Sequence, residues 1–120
     1  MQITISGQTP AKKNARQIFV KNGRIVNIPS KNHAIWEKQA LLQLKSEYRG
    51  HADKPVTIAY SFYVKDNRRR DLDNMIASIN DVLVKAKLIV DDNWQTLSIG
   101  GANAYIDKNN PRCELWVEQD

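Results

Sequence analysis

One nine-residue run, VTIAYSFYV at residues 56–64, constrains the fold of this chain most strongly. Its larger apolar side chains stand at every second position: Val56, Ile58, Tyr60, Phe62 and Val64. This period is typical of a β-strand with one buried face, because successive side chains of a strand point to opposite sides of the sheet. The run therefore predicts a sheet with one face covered by another layer. A chain of 120 residues can supply that layer within one domain, which we expect to span residues 1–120.

Two further segments predict the helices that cover this sheet. Residues 31–48 and 75–90 carry apolar side chains at helical spacing, and Ser30 is a suitable N-cap for the first of them. Additional strands are predicted at 2–6, in a hairpin over 17–28 around Asn22-Gly23, and in a final strand pair, 95–105 with 112–119. The element order β-β-β-α-β-α-β-β predicts the α+β class, with a small, mostly antiparallel or mixed sheet and two helices on one face.

The balance of charges favours a polyanionic partner. Lysine and arginine number 18 against 13 aspartates and glutamates, so the formal net charge is +5. Such an excess attracts nucleic acid first and acidic membranes second. The single cysteine, Cys113, excludes an internal disulfide and fits a reducing compartment, and its alternation with Leu115 and Val117 predicts a core position. We expect a cytoplasmic protein with neither a signal peptide nor a membrane span.

The segment NRRRDLDN, residues 67–74, combines arginines and aspartates in one short loop. Asp71 and Asp73 are two residues apart, so at the end of an extended segment both carboxylates project to one side. They repel each other unless a cation lies between them, and Mg²⁺ takes one or two carboxylates together with water and phosphate oxygens. Alternatively, one aspartate caps the next helix and the other complements its dipole.

The residues before this acid pair are Arg68, Arg69 and Arg70. Arginine binds phosphate in a bidentate geometry, and a metal site that cuts a phosphodiester needs the backbone held beside the ion. The alternative is a solvated loop in which the arginines pair with the aspartates. The adjacent arginines shift the balance towards the metal site.

A second acid pair, Asp91 and Asp92, follows the second predicted helix. A third carboxylate would complete a nuclease site for one or two Mg²⁺ ions, with Mn²⁺ as a substitute, whereas the alternative is a simple turn. A helix over residues 74–87 is about 21 Å long and the next four residues return at most about 14 Å, so Asp92 misses the first pair of its own chain. Two arrangements remain open: the helix ends near Lys85, or two chains with antiparallel helices exchange the third acid.

Other candidate contacts with DNA are less specific. Lys12, Lys13 and Arg16 form a basic loop that suits a DNA backbone and equally suits a solvated surface. Trp94 has three interpretations: stacking on a base, wedging a junction, or packing against the second helix. His33 and His51 lack metal-ligand spacing and are predicted to be surface residues. We find no Ser-His-Asp signature, glycine-rich phosphate loop or zinc motif.

Three motifs in order, RRRDLDN at 68–74, Asp81 and Leu83 within NDVLVKA, and the pair at 91–92, carry a resemblance to a known family. They resemble the RusA-type Holliday junction resolvases, over residues 66–94. The resemblance implies a Mg²⁺-dependent endonuclease that acts as a homodimer and nicks opposing strands of four-way DNA junctions in recombination and repair. It implies no small-molecule cofactor and a bacterial, phage or prophage source. Asp71, Asp73 and Asp92 match the family's essential aspartates and are the implied catalytic residues and metal ligands. Asp91, the neighbour of Asp92, is a further candidate metal ligand, and Asn14 resembles an asparagine in the first loop.

One position departs from the family pattern. The family has a lysine four residues after the second aspartate of the pair, and this chain has Ala77 there. Lys65 and Lys85 are candidates to replace it. Two alternatives to the resolvase stay open. Ala77 motivates the first, a non-catalytic phage-type protein that binds DNA junctions, and the second is a structure-specific nuclease for other branched DNA such as flaps or forks.

Overall fold

The computed structural model describes residues 1–11, 16–29, 31–48 and 53–119. The elements along these residues are β1 (Gln2–Ser6), β2 (Arg16–Lys21), β3 (Arg24–Pro29), α1 (Lys31–Glu47), β4 (Val56–Val64), α2 (Leu72–Lys85), β5 (Leu97–Ile106) and β6 (Arg112–Gln119). The predicted α+β class, with two helices and a mixed sheet, is confirmed. The predicted cap Ser30 lies outside the described residues.

Four strands form one sheet in the order β1-β6-β4-β5. β6 is antiparallel to both β1 and β4, whereas β5 is parallel to β4. The prediction that the last two strands pair with each other is wrong, because β4 lies between them. The cause is the connection through α2: a strand-helix-strand unit crosses over to a parallel neighbour, so β5 occupies the edge beside β4. β6 then returns on the other side of β4.

The alternating face of β4 is confirmed and lies at the centre of the core. All five of its predicted apolar residues are buried, and the same face of the sheet continues through Ile3 and Ile5 of β1 and Cys113 and Leu115 of β6. The helices cover this face with Trp36, Ala40 and Leu44 of α1 and Met75, Ile79 and Leu83 of α2. The predicted core position of Cys113 is therefore confirmed, and burial raises the pKa of its thiol.

The predicted surface position of His33 is wrong. Its side chain is 8% exposed and lies edge-on to Trp36, with ring centroids 6.2 Å apart. The first turn of α1 already packs on the core, so even a polar residue there is removed from water. His51 lies outside the described residues.

β2 and β3 form a separate two-stranded sheet. The predicted turn between them is confirmed: Asn22 and Gly23 have φ values of 52° and 76°, the pair of positive angles that a two-residue hairpin turn requires. Residues 20–25 at the tip are exposed and include Lys21 and Arg24. The hairpin therefore presents basic side chains at its tip.

Helix α2 begins at Leu72 rather than at residue 75, and ends at Lys85 rather than at residue 90. Its end is closed by Lys87, whose φ is 61° and whose N–H donates to the Val84 carbonyl at 3.0 Å. The Leu88 N–H donates to the Leu83 carbonyl at 3.0 Å, so both bonds of a Schellman motif are present. The apolar residues beyond the helix, Leu88 and Ile89, are buried within this turn. No helix in the described part of the chain is long and apolar enough to cross a membrane.

Candidate active site

The loop that joins β4 to α2 is organised around Asp66. Its Oδ1 accepts hydrogen bonds from the Arg68 N–H at 3.0 Å and from Arg70 Nη2 at 2.8 Å. These interactions hold the pKa of Asp66 below its ordinary value, and the hydrogen bond from the Arg68 N–H is the largest cause. Sequence reasoning missed this role of Asp66, although its position four residues before Arg70 was a usable signal.

The three arginines of the loop differ in what they bind. Nη1 of Arg70 donates to the Asp66 and Arg68 carbonyls, both at 3.1 Å, and its side chain is only 9% exposed. Arg70 therefore shapes the loop from within. Arg68 and Arg69 are exposed, and within the described residues their guanidinium groups make no hydrogen bond or ion pair. These two remain available to phosphate.

Asp71 and Asp73 stand at the start of α2. The prediction that both lie on an extended segment is wrong, because Asp71 is the N-cap residue and Asp73 belongs to the first turn. The Asp71 side chain makes no capping hydrogen bond and has only a long contact, 3.4 Å, from Asn74 Nδ2. Both residues are exposed, at the helix end whose dipole favours negative charge. Asp71 thus has the position of a cap while its carboxylate stays almost uncommitted.

The second acid pair divides into a turn residue and a free carboxylate. Asp91 accepts hydrogen bonds from the Asp92 N–H at 2.8 Å and from Asn93 Nδ2 at 3.2 Å, and its carbonyl accepts one from Thr96 Oγ1 at 2.8 Å. The Asp92 N–H is the main cause that lowers the pKa of Asp91. The turn interpretation therefore describes Asp91. Asp92 is exposed, and its carboxylate has neither a hydrogen-bond donor nor a cation as a partner in the described part of the chain.

The two acid pairs are attached to different ends of the sheet. The Asp107 N–H donates to the Val64 carbonyl at 2.8 Å, and the Val56 N–H donates to the Thr96 carbonyl at 3.0 Å. Residues 65–71 thus follow the carboxyl ends of β4 and β5, whereas the turn at 91–96 precedes the amino end of β5. Among the described residues, no three His, Cys, Asp or Glu side chains are close enough to hold a metal ion together. A single chain does not bring Asp71, Asp73 and Asp92 into one cluster.

A buried pair of polar side chains, Tyr60 and Asn80, lies between the two ends of the sheet. Tyr60 Oη donates to Asn80 Oδ1 at 2.5 Å, which links the centre of β4 to the centre of α2. Burial raises the pKa of Tyr60, and the negative charge of Asp92 adds to the rise. Helix α2 ends at Lys85, as the first of the two predicted arrangements requires. The chain that follows the helix nevertheless does not bring Asp92 into one cluster with Asp71 and Asp73.

A groove of about 310 Å³ adjoins the arginine loop. Its apolar wall includes Val64, Met75, Ala104 and Ile106, and its polar rim includes Asp66 and Arg68. The groove therefore lies between the arginine loop and the carboxyl end of β5. Trp94 is 85% exposed, so of its three interpretations packing against the second helix is wrong.

The remaining candidates fall into three groups. Lys12, Lys13 and Asn14 lie outside the described residues, and Arg16 is described only as the first residue of β2, without its side chain. Ala77 is half-buried on α2, one turn after Asp73. Of its candidate replacements, Lys85 forms an ion pair with Glu37, whereas Lys65 is exposed and directly follows β4.

Comparison with known proteins gives two findings. The family model described as endodeoxyribonuclease RusA matches residues 8–118. The crossover junction endodeoxyribonuclease RusA of Aquifex aeolicus (strain VF5) is 33% identical to this chain over 85 residues. That similarity covers 70% of this chain and 66% of the relative. The family match includes the arginine loop and both acid pairs.

Proposed function

This chain belongs to the RusA family of endodeoxyribonucleases, and on that premise we propose that it is a Mg²⁺-dependent endonuclease that resolves four-way DNA junctions as a homodimer. The observation that carries the proposal is a difference in hydrogen bonding between two groups of aspartates. Loop hydrogen bonds engage Asp66 and Asp91, whereas the carboxylates of Asp71, Asp73 and Asp92 are exposed and nearly uncommitted. The carboxylates of Asp71 and Asp73 follow Arg68 and Arg69, whose guanidinium groups have no partner among the described residues, and this combination is suited to an ion and a phosphate.

The donor set fits a hard divalent cation. Carboxylate oxygens are the ligands that Mg²⁺ takes from proteins, and Asp71, Asp73 and Asp92 would hold it. A bound ion supplies charge neutralisation and a water of lowered pKa for phosphodiester hydrolysis. Arg68 and Arg69 hold the DNA backbone in register beside the acids, and Arg70 with Asp66 keeps the loop in the shape that presents them.

Branched DNA and a homodimer follow from the same assignment. A four-way junction has approximate two-fold symmetry, and its resolution requires a nick in each of two opposing strands. A two-fold dimer carries two sites and matches that symmetry. Because Asp71 and Asp73 do not cluster with Asp92 within one chain, a dimer is also the means to complete each site.

Ala77 favours one competing function, a protein that binds junctions without cutting them. It removes the family lysine from the helix turn that follows Asp73. Lys65 is the better candidate replacement, since it is exposed near the arginine loop, whereas Lys85 is engaged by Glu37 about three turns away along α2. A nuclease for flaps or forks is the second competitor.

The deciding experiment is cleavage of a labelled four-way junction beside flap, fork and linear duplex of matched sequence, with Mg²⁺ and with EDTA. Paired symmetric nicks in the junction that disappear with EDTA are expected. Asp73→Asn removes these nicks and keeps junction binding, while Glu118→Gln, which changes an exposed carboxylate on β6, keeps both. Binding without any cut in Mg²⁺ or Mn²⁺ contradicts the nuclease, and preferred cutting of flaps or duplex contradicts the substrate.

A further inference from the structure

The hairpin tip, residues 20–25 between β2 and β3, exposes apolar side chains that the fold does not use. Val20 and Ile25 are 72% and 78% exposed, and among the large apolar side chains of the described residues only that of Trp94 is more exposed. β2 and β3 form a sheet of their own, and a side-chain carbon added to Gly23 would meet nothing within 4 Å. The hairpin tip is therefore an open surface with unused apolar area.

The strand register gives the hairpin tip two different faces. Val20 lies opposite Ile25, and Lys21 lies opposite Arg24. Residues directly opposite each other in an antiparallel pair project to the same face, and successive residues project to opposite faces. One face of the tip thus carries two apolar side chains, and the other carries two cations. Residues 16–29 contain no aspartate or glutamate, so no acid within the hairpin opposes this positive charge.

We propose that the hairpin tip is a wedge that enters the branch point of a DNA junction. Val20 and Ile25 cover bases that have lost a stacking neighbour, and Lys21 and Arg24 hold the adjacent phosphates. The inference rests on the proposed function, since it takes branched DNA as the substrate. It adds a determinant of selectivity for branched over linear DNA that lies outside the acidic site.

The occupant follows from the chemistry of the two faces. In a continuous duplex each base pair is stacked on both sides, whereas an opened branch point leaves base pairs with one uncovered face. Base faces are apolar and stack on protein side chains, and proteins that unstack DNA insert aliphatic or aromatic wedges between base steps. The two cations of the tip and the net charge of +5 favour DNA over an apolar protein surface as the partner.

The chain that leads into the hairpin is held beside the arginine loop. The Lys65 N–H donates to Gln8 Oε1 at 2.8 Å, and Ser78 Oγ donates to the Pro10 carbonyl at 3.1 Å. Arg16, the first residue of β2, follows Pro10 by a stretch of chain that spans at most about 22 Å. Strands of this length extend about 20 Å. The hairpin tip and the arginine loop can therefore contact the same DNA molecule.

Base unstacking at the branch point tests the wedge directly. In EDTA, a four-way junction with 2-aminopurine beside the branch point should brighten when wild type binds, because this base fluoresces more strongly when it is unstacked. Val20→Ser with Ile25→Ser should lose most of this rise and bind the junction about 10-fold more weakly, with unchanged affinity for linear duplex. A full rise with this double variant, or an equal loss of affinity for junction and duplex, would overturn the wedge.

Leu42→Ser is the matched control for these substitutions. Leu42 is 62% exposed on α1, so the change removes a similar exposed apolar side chain from a different surface. This variant should show the wild-type fluorescence rise and the wild-type affinity. If Leu42→Ser lost the rise as fully as the double variant, the effect would not be specific to the hairpin tip and the proposal would be wrong.

The basic face of the tip has its own test. Lys21→Gln with Arg24→Gln should reduce the salt slope of junction binding by about 1 for each cation that holds a phosphate. At saturating protein this variant should retain the fluorescence rise, because Val20 and Ile25 are intact. An unchanged salt slope would overturn the assignment of phosphate contacts to these two cations.

A cross-link keeps the test independent of any loss of folding. Val20→Cys should form a disulfide with a thiol-tethered base at the branch point, and not with the same base placed in the middle of a junction arm. Leu42→Cys should link to neither position, and the native Cys113 is fully buried. Equal linking of Val20→Cys at the two positions would show an ordinary duplex contact and overturn the wedge.

These measurements distinguish failure of the wedge from failure of the proposed function. They are made in EDTA, so they do not require cleavage. A wild type that opens the junction but cuts no DNA in Mg²⁺ contradicts the nuclease and supports the wedge, whereas one that cuts junctions without unstacking the branch point overturns the wedge alone. A smaller mass in solution for Val20→Ser with Ile25→Ser than for wild type would show that the tip joins copies of this chain, which also overturns the wedge.

Discussion

At the scale of single residues, hydrogen bonding distinguishes acids that build loops from acids that are free to bind. Asp66 and Asp91 each accept a backbone N–H and a side-chain donor, and both have a lowered pKa. Asp92 lies next to Asp91 in the sequence but accepts no hydrogen bond in the turn through its carboxylate. Two chemically identical neighbours therefore have different expected roles.

Exchanging each acid for its amide tests this division. Asp92→Asn should reduce junction cleavage by more than about 100-fold, since even the outer-shell partners of metal ligands cost 10- to 100-fold. It should leave the midpoint of thermal unfolding unchanged. Asp91→Asn weakens the acceptor of two turn hydrogen bonds, so it should lower that midpoint while cleavage persists. Nick rates and melting curves of both proteins are measured in parallel. Loss of cleavage in Asp91→Asn together with a lowered unfolding midpoint in Asp92→Asn would contradict the assigned roles.

The lowered pKa of Asp66 predicts a stability that depends on pH. Because the pKa is lower in the folded protein than the ordinary value of 3.8, the contribution of Asp66 is complete above pH 3.8 and disappears as the pH falls through the folded-state pKa. Asp66→Asn should therefore reduce the loss of unfolding midpoint between pH 5 and pH 2.5. Asp53→Asn is the control, because Asp53 is exposed and its carboxylate accepts no hydrogen bond from the part of the chain that the structure describes; this variant should retain the wild-type pH profile.

At the scale of elements, the strand-helix-strand unit of β4, α2 and β5 determines where the acids lie. Helix α2 returns the chain from the carboxyl end of β4 to the amino end of β5. The turn that carries Asp92 follows the Schellman motif at the end of this helix. Lys87 adopts a left-handed conformation that glycine enters without a steric cost. The end of α2 is therefore a hydrogen-bonded Schellman motif in which the backbone of Lys87 is strained.

Lys87→Gly should stabilise the protein. Relief of the left-handed conformation gains about 1 to 2 kcal/mol and the added flexibility of the unfolded chain costs about 0.5 to 1 kcal/mol, so a net gain of about 0.5 to 1 kcal/mol is expected. Ala77→Gly, in the interior of the same helix, should instead lower the free energy of unfolding by about 1 kcal/mol. Urea titrations of both variants measure these changes, and a destabilised Lys87→Gly protein would contradict a strained helix end.

The Tyr60–Asn80 hydrogen bond should couple β4 to α2. Tyr60→Phe leaves the Asn80 amide buried without its donor and should lower the free energy of unfolding by about 1 to 3 kcal/mol. The double variant Tyr60→Phe with Asn80→Leu should cost less than the sum of the single changes. A double-mutant cycle with urea unfolding measures the coupling, and additive single effects would show that the pair is not coupled.

At the scale of the whole molecule, a net positive charge occurs together with three exposed carboxylates, those of Asp71, Asp73 and Asp92. The net charge of +5 attracts DNA as a whole, whereas the three free carboxylates require a cation before phosphate can approach them. Binding and cutting are thus expected to depend on different groups. The exposed basic residues supply affinity, and the acids supply chemistry.

Salt dependence should separate these contributions. In EDTA, junction binding should persist and weaken steeply with salt, and Arg68→Ala with Arg69→Ala should reduce the slope by about 1 for each arginine that binds a phosphate. Arg70→Ala should mainly lower the unfolding midpoint, because its guanidinium is used inside the loop. Fluorescence anisotropy over a salt series measures the slopes, and a larger slope change for Arg70 than for its neighbours would reverse this assignment.

Much of the local structure was predictable because it depends on short-range periodicity. The alternation in β4, the Asn22-Gly23 turn and the helical spacing of α1 each reflect the geometry of the backbone itself. The errors at α2 have the same origin: Leu88 and Ile89 continue an apolar pattern, but they are buried through a turn. Periodicity records which residues are buried and not which element buries them.

The amino-acid pattern was enough to predict the α+β class and the strand that anchors the core, and it made the arginine-aspartate segments candidates for phosphate and metal binding. Three features became apparent only in the folded chain: β5 pairs with β4 at an open edge, His33 is buried, and Asp91 and Asp92 differ in their hydrogen bonding. The fold also decided that Asp92 is separated from Asp71 and Asp73 within one chain. The physical reason is that backbone preferences act over a few residues, whereas strand neighbours and hydrogen-bond partners are set by contacts between distant parts of the chain.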